Sequence, residues 1–358
     1  MDSRETNILK STTSSVWICT ANRGYGKFAA EELRRLFESV RIEFLSPGDV
    51  FRIDIPLPKE TALKRIMHNE PIFLRHLQPA DYAVTTTGDL EKLSEMFHNL
   101  LKDDFQSYLT KDTRVAVQIR VQEAMQGEFL TPAKLKNRVD EWINIYPHTT
   151  PVVKDMDVVI SAYVSQLKIY WGISKPSENL SSWSGGAIHY RKLATDISRA
   201  KYKLMEAEDV FCLNLSRFQN ALDIGAAPGG WSSLLLERGV QVVAVDPAEM
   251  DRSLMQRQGF RHIRKNAAEL KLNNAEFDLL VCDMSWNPMQ MANLLIHILP
   301  AIHRGGTVIT TIKLIHGKPF GTLKTVKNIF SSSLRLIKAK QLFHNREELT
   351  CYWIKAGE

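Results

Sequence analysis

The chain has 358 residues, enough for about two domains at roughly 150 residues each, with 44% hydrophobic and 24% charged residues and a net charge of +6. No apolar stretch approaches the roughly 20 residues a membrane span needs, and the polar opening Met1–Ser15 lacks the apolar core of a secretory signal. Cys19, Cys212, Cys282 and Cys351 form no CxxC pair, and no histidines cluster at ligand spacing, so the expectation is a soluble cytoplasmic protein with no membrane association, no metal and no disulfide framework.

In chain order, Val16–Thr20 reads as a strand, Phe28–Val40 as an amphipathic helix, and Ile42–Leu45 and Val50–Ile55 as strands. This β-α-β-β order suggests a ferredoxin-like α+β unit over 1–85. Over 86–174 the reading is helix Leu90–Leu101, strand Arg114–Val121, helix Thr131–Ile145 capped by Thr131 with Pro132 in its first turn, and strands Val158–Val164 and Gln166–Gly172. The last two are joined so tightly that they form a hairpin or one bent strand. Ser- and Gly-rich residues 175–197 read as a linker.

From 198 to 358, strands alternate with helices, the pattern of a mostly parallel seven-stranded sheet covered on both faces. The strands are Ala221–Ile224, Val240–Val245, Arg261–Arg264, Leu279–Cys282, Gly306–Ile312, Leu334–Ala339 and Leu349–Ile354. Helices fall at Gly229–Arg238, Ala248–Gln258, Pro288–His303 and Phe320–Ser332. Only Lys340–Glu348 separates the last two strands, too few residues for a helix, so they pair antiparallel at one edge.

Charge is unevenly placed. No acidic residue lies between Asp283 and Glu347, and Arg304, Lys313, Lys318, Lys324, Lys327, Arg335, Lys338, Lys340 and Arg346 all fall there. Such a segment suits a polyanion or a solvated helix face.

The strongest chemical signal is Ala221-Leu-Asp-Ile-Gly-Ala-Ala-Pro-Gly-Gly-Trp-Ser232: strand, glycine-rich turn, helix start with free N–H groups. The next strand ends in Asp246, a carboxylate of the kind that binds a ribose diol. Gly225, Gly229 and Gly230 are spaced GxxxGG with Pro228 between them, not GxGxxG, which favours a methionine-derived nucleoside cofactor over a dinucleotide. Histidines without a nucleophile partner and the absence of a GxSxG elbow argue against a hydrolase. Trp231 and Trp286 could stack on a ligand, although packing is the plainer role for Trp231.

The string Asp223–Trp231 resembles the cofactor loop of the FtsJ-type Rossmann-fold methyltransferases, which methylate RNA ribose 2′-hydroxyls with S-adenosyl-L-methionine. The resemblance implies a Lys-Asp-Lys-Glu tetrad at Lys203, Asp283, Lys313 and Glu348, with Lys313 as base. It also implies cofactor contacts from Ser198, Gly225, Ala227, Pro228, Gly229, Gly230, Trp231, Asp246, Asn266 and Asp283. Ser198–Ala207, Cys282–Met284 and Leu342–Thr350 are similar to the branch of that family that carries an N-terminal THUMP-type RNA-binding domain. For that branch the substrate is a cytidine of large-subunit (23S) rRNA. Two positions depart from the pattern: Asn266 replaces a usual aspartate near the adenine, and Met284-Ser-Trp-Asn-Pro288 replaces Met-Ala-Pro-Asn. Rival readings are a THUMP-bearing tRNA base N-methyltransferase, whose Pro-Pro-aromatic motif is missing here, and an RNA-binding protein with a non-catalytic Rossmann fold.

Overall fold

The computed structural model describes residues 6–9, 11–85, 89–103, 105–109, 112–127, 130–146 and 148–357; residues 1–5 and 10 of the polar opening lie outside them. The chain divides into two units, residues 1–187 and 188–358.

The first unit runs β1 (Thr6–Ile8), β2 (Ser15–Ala21), α1 (Gly26–Leu36), β3 (Arg41–Ser46), β4 (Val50–Ile55), α2 (Lys59–His68) and β5 (Leu74–Pro79). Strands β2 to β5 form an antiparallel sheet of order β3-β4-β2-β5, which with α1 and α2 is a complete ferredoxin-like βαββαβ unit. The sequence reading stopped at β4. On α2 only Ala62 and Ile66 are fully buried, too few to print a helical stripe.

Next come β6 (Tyr82–Thr85), α3 (Leu90–Asp103), β7 (Thr113–Val121), α4 (Pro132–Ile143), β8 (Thr149–Pro151), β9 (Val158–Val164) and β10 (Lys168–Ser174). The Thr131 side chain caps α4 by accepting from the Lys134 N–H. Leu135, Val139 and Ile143 then pack with Val117, Ile119 and Trp171 in one core. A sheet of order β1-β6-β10-β9-β7-β8 results, in which β9 and β10 are an antiparallel hairpin and β7 runs parallel to both β8 and β9.

The second unit runs α5 (Lys201–Val210), β11 (Asn220–Ile224), α6 (Gly230–Glu237), β12 (Gln241–Val245), α7 (Arg252–Met255), β13 (Phe260–Ile263), β14 (Phe277–Cys282), α8 (Pro288–Ile298), β15 (Ile302–Lys313), α9 (Pro319–Phe330), β16 (Leu334–Lys340) and β17 (Glu348–Lys355). Its sheet is the expected mostly parallel seven-stranded one, of order β13-β12-β11-β14-β15-β17-β16. β17 lies between β15 and β16, antiparallel to both. The order reverses between β11 and β14, the place where open α/β sheets bind ligands at their strand ends.

Two of the helices expected in this unit are much shorter, and in the first unit the helix expected over Phe28–Val40 ends at Leu36. Of Ala248–Gln258 only α7 is helical, because Asp246 Oδ1 accepts from the Ala248 N–H and the Asp251 N–H donates to Pro228 O, which holds the intervening chain in a turn. Pro288–His303 stops being α-helix at Ile298, since Pro300 cannot continue the ladder.

Trp353 is fully buried where β17 meets α9; its Nε1–H donates to Thr310 Oγ1 at 3.0 Å and its ring meets Phe330 edge-on at 5.1 Å. Trp353→Ala should destabilise the second unit by about 3–5 kcal/mol, the range for emptying a packed aromatic site. A lowered urea midpoint for the transition that unfolds this unit would be the readout, and an unchanged midpoint would contradict the packing described.

Candidate active site

The glycine-rich turn leaves β11 at Ile224 and enters α6 at Gly230. Gly229 adopts φ +116° as the N-cap residue of α6, a conformation that a side chain would strain. A Cβ on Gly230 would stand 2.2 Å from Ser198 Oγ, so residues 198 and 230 are in close contact. That Ser198 hydroxyl is buried with no hydrogen-bond partner among the described residues. Trp231 is buried and donates from Nε1 to Ala200 O at 2.8 Å; it ties α6 to the segment before α5 and has no free face for stacking.

Asp246, at the end of β12, accepts from the N–H groups of Ala227 (3.1 Å) and Ala248 (2.8 Å). Beside it is a cavity of about 340 Å³ lined by Gly225, Ala227, Asp246, Asn266, Asp283 and Trp286, among others. Asn266 is exposed and caps its own turn by accepting from the Ala268 N–H at 3.1 Å. Ser198, Pro228, Gly229, Gly230 and Trp231 do not line this cavity; they shape the loop around it.

Beneath the turn, Asp223 is fully buried and accepts from Ser232 Oγ at 2.7 Å. Burial pushes its pKa up to about 7; the Ser232 hydrogen bond opposes that rise, and the charges of Asp283 and Asp246 add to it.

Three elements converge on Lys203. Its ammonium, on α5, donates to Asp283 Oδ1 and Oδ2 at 3.0 and 3.2 Å, just past β14, and to Glu348 Oε2 at 2.7 Å, at the start of β17. The three side chains are only 15–18% exposed. Burial works against the ammonium's charge, but Asp283 and Glu348 outweigh it and hold the Lys203 pKa above the usual lysine value. Thr311 Oγ1 donates a further 2.8 Å hydrogen bond to Asp283.

Lys313 does not join this ion-paired group. It ends β15 directly opposite Glu348 in the β15–β17 ladder, but it is exposed, and its ammonium makes no hydrogen bond or ion pair among the described residues. Alternation along β17 separates the two adjacent glutamates: Glu348 faces Lys203, whereas Glu347 is exposed.

Sequence reasoning missed Glu206, one turn after Lys203. Its buried carboxylate accepts from the Phe343 and His344 N–H groups at 2.6 and 2.9 Å and contacts His344 Nδ1 at 2.7 Å. These bonds hold the loop that leads into Glu348, and they place His344 in the framework. Only a buried acid near Lys203 at helical spacing hinted at it. The basic run also needs correction: Lys340 is buried and Lys338 donates to Val210 O, because alternation on β16 turns them inward, while Lys318, Lys324, Lys327, Arg335 and Arg346 are exposed. Among the described residues no group of His, Cys, Asp or Glu is placed to hold a metal ion, and no helix is long and apolar enough to cross a membrane.

Residues 197–343, within the second unit, match the FtsJ-like methyltransferase family. The chain is 32% identical over 186 residues to the Ribosomal RNA large subunit methyltransferase M of Aeromonas salmonicida (strain A449), covering 45% of this chain and 49% of that protein. It is 32% identical to the protein of that name from Halorhodospira halophila (strain DSM 244 / SL1), covering 48% and 50%. A longer, weaker match, 23% identical, covers 84% of this chain and 85% of the Shewanella sp. (strain ANA-3) protein of the same name. The chain thus spans about half the length of the first two relatives it matches.

The raised pKa of Asp223 gives a pH signature. A carboxyl whose folded pKa is about 7 against an ordinary 3.8 binds more protons folded than unfolded between those values, so stability falls as pH rises from about 4 to about 7. Asp223→Asn lacks this titration. Urea unfolding at pH 5 and pH 8 should therefore show the variant gaining stability relative to the parent chain at the higher pH. Curves that stay parallel would rule out the buried titration.

Proposed function

We propose that the protein transfers a methyl group from S-adenosyl-L-methionine to a ribose 2′-hydroxyl of RNA, with a cytidine of large-subunit rRNA as target and the cytoplasm as setting. The carrying observation is the ion-paired Lys203–Asp283–Glu348 group beside a glycine-turn cavity at the strand ends, with Lys313 facing Glu348 across the ladder.

The site's residues fit that cofactor. Ser198 offers an unused buried hydroxyl beside the turn, and the cavity carries the carboxylates of Asp246 and Asp283, anionic acceptors suited to a sulfonium cation and a ribose diol. Gly225, Ala227, Asp246, Asn266 and Asp283 would hold it, while Ser198, Pro228, Gly229, Gly230 and Trp231 keep the turn in shape. When bound, the cofactor supplies a methyl on a leaving group that departs unaided.

The chain must then position the hydroxyl and take its proton. Lys203 is unsuited to accept a proton because two carboxylates keep it charged; its role is to orient Asp283 and Glu348. Lys313 is the lysine without such partners, and we assign it the base. Residues 1–85 and the THUMP-type part over 86–174 are assigned to RNA docking, with 175–197 as linker and the methyltransferase domain over 198–358. The exposed cations of α9 and its flanks supply phosphate contacts, so RNA binding should weaken with salt.

Asp246→Ala should weaken cofactor binding by roughly 1–3 kcal/mol, the scale of lost charge-assisted hydrogen bonds. Calorimetry checks this, and tighter binding of NAD than of S-adenosyl-L-methionine would end the reading.

Lys313→Ala should leave cofactor affinity intact and slow methyl transfer by about 10² or more, and Lys313→Arg should not rescue it, since a guanidinium keeps its proton. Single-turnover rates at saturating cofactor and RNA decide; near-normal transfer by Lys313→Arg would reduce the residue to a fixed positive charge.

A further inference from the structure

The edge of β7 is left open over two residues. Along β7 the odd positions bond toward β8: the Thr113 N–H donates to His148 O and the Val152 N–H donates to Val115 O. The even positions bond toward β9: the Asp157 N–H donates to Arg114 O and the Gln122 N–H to Val164 O. Yet β8 pairs with β7 only from Thr113 to Val115. Further along, Gln126 Nε2–H donates to Val121 O at 2.9 Å and stops that end. Between the two stops, the main-chain N–H and C=O groups of Val117 and Ile119 face outward, with no hydrogen-bond partner on that side among the described residues. Buried main-chain groups of this kind call for a partner.

They line a cavity of about 630 Å³, walled also by Pro132, Lys136, Met156 and Trp183. Gln118 lines it too. Its Nε2–H donates to Ser182 O at 2.6 Å, which fixes the amide's orientation, and its Oε1 is buried without a partner. Val117 and Ile119, two residues apart along the strand, place their outward main-chain groups roughly 7 Å apart, close to the hydrogen-bonding edge of one nucleobase. Alternating main-chain donors and acceptors match a base edge. The additional lone acceptor, Gln118 Oε1, together with a main-chain N–H donor favours a base whose exocyclic amine adjoins a ring-nitrogen acceptor, as in adenine and cytosine. Exposed Lys154 at the same cavity can meet a flanking phosphate.

We propose that this cavity binds one unpaired adenine or cytosine of single-stranded RNA, reading it through the Val117 and Ile119 main chain and Gln118 Oε1; this rests on the RNA-substrate reading above.

The test is amide hydrogen exchange on the full chain with octamers of adenylate, cytidylate and uridylate, an abasic octamer, and heparin as a base-free polyanion. Exchange at Val117 and Ile119 should slow at least fivefold with the adenylate or cytidylate octamer, less with uridylate, and not at all with the abasic strand or heparin. Gln118→Met should abolish the preference over uridylate. RNA that binds without slowing these two amides, or equal slowing by heparin, would overturn the base pocket and leave the methyltransferase reading standing. Slowing by a Val/Ile-rich peptide but not by RNA would also overturn it, making the edge a strand-docking site. If no octamer bound at all while S-adenosyl-L-methionine still bound by calorimetry, the RNA reading itself would fall.

Discussion

The ammonium of Lys203, shared between Asp283 and Glu348, is the interaction on which the site depends. It joins an α5 side chain to the residue that follows β14 and to the residue that opens β17, which lie 80 and 145 positions further along the chain. A mostly buried cation between two carboxylates is stabilised only while both partners stay, and removing one partner from such a pair costs about 3–5 kcal/mol because a charge is left uncompensated. The arrangement therefore constrains the surrounding fold: α5 must approach the strand ends, and β17 must enter the sheet where Glu348 faces the helix.

The insertion of β17 between β15 and β16 meets that requirement and adds a second result. Antiparallel pairing to β15 sets Lys313 directly opposite Glu348. One glutamate is thus neighbour to two lysines of different character, one held charged on the helix side and one exposed at the strand end. Glu206 supports this from behind: its three contacts hold the Phe343–His344 turn, so the chain entering Glu348 has little freedom.

On the cofactor side the organising force is backbone hydrogen bonding to carboxylates. Asp246 holds both the glycine turn and the chain after β12, and the same bonds suppress the first turns of the helix expected there. The buried Asp223 completes an acidic floor beneath the turn. In the first unit the open feature is main chain, a two-residue gap in pairing beside a buried amide oxygen.

The sequence by itself determined the alternation of strands and helices after residue 198, because each buried strand is a short apolar run and each helix repeats at its own period. It also marked the glycine turn, whose conformation depends on local residue type, and ordered Lys203, Asp283, Lys313 and Glu348 along the chain. It did not reveal α2 and β5, where too few residues are buried to write a periodic stripe. Nor could it tell that Lys338 and Lys340 turn inward, that Glu206 grips residues 343 and 344, or which lysine the carboxylates would hold. Those outcomes belong to the tertiary structure. A side chain's direction at a strand end follows from which distant strand pairs with it, and a lysine's proton affinity follows from the charges that such pairing sets beside it.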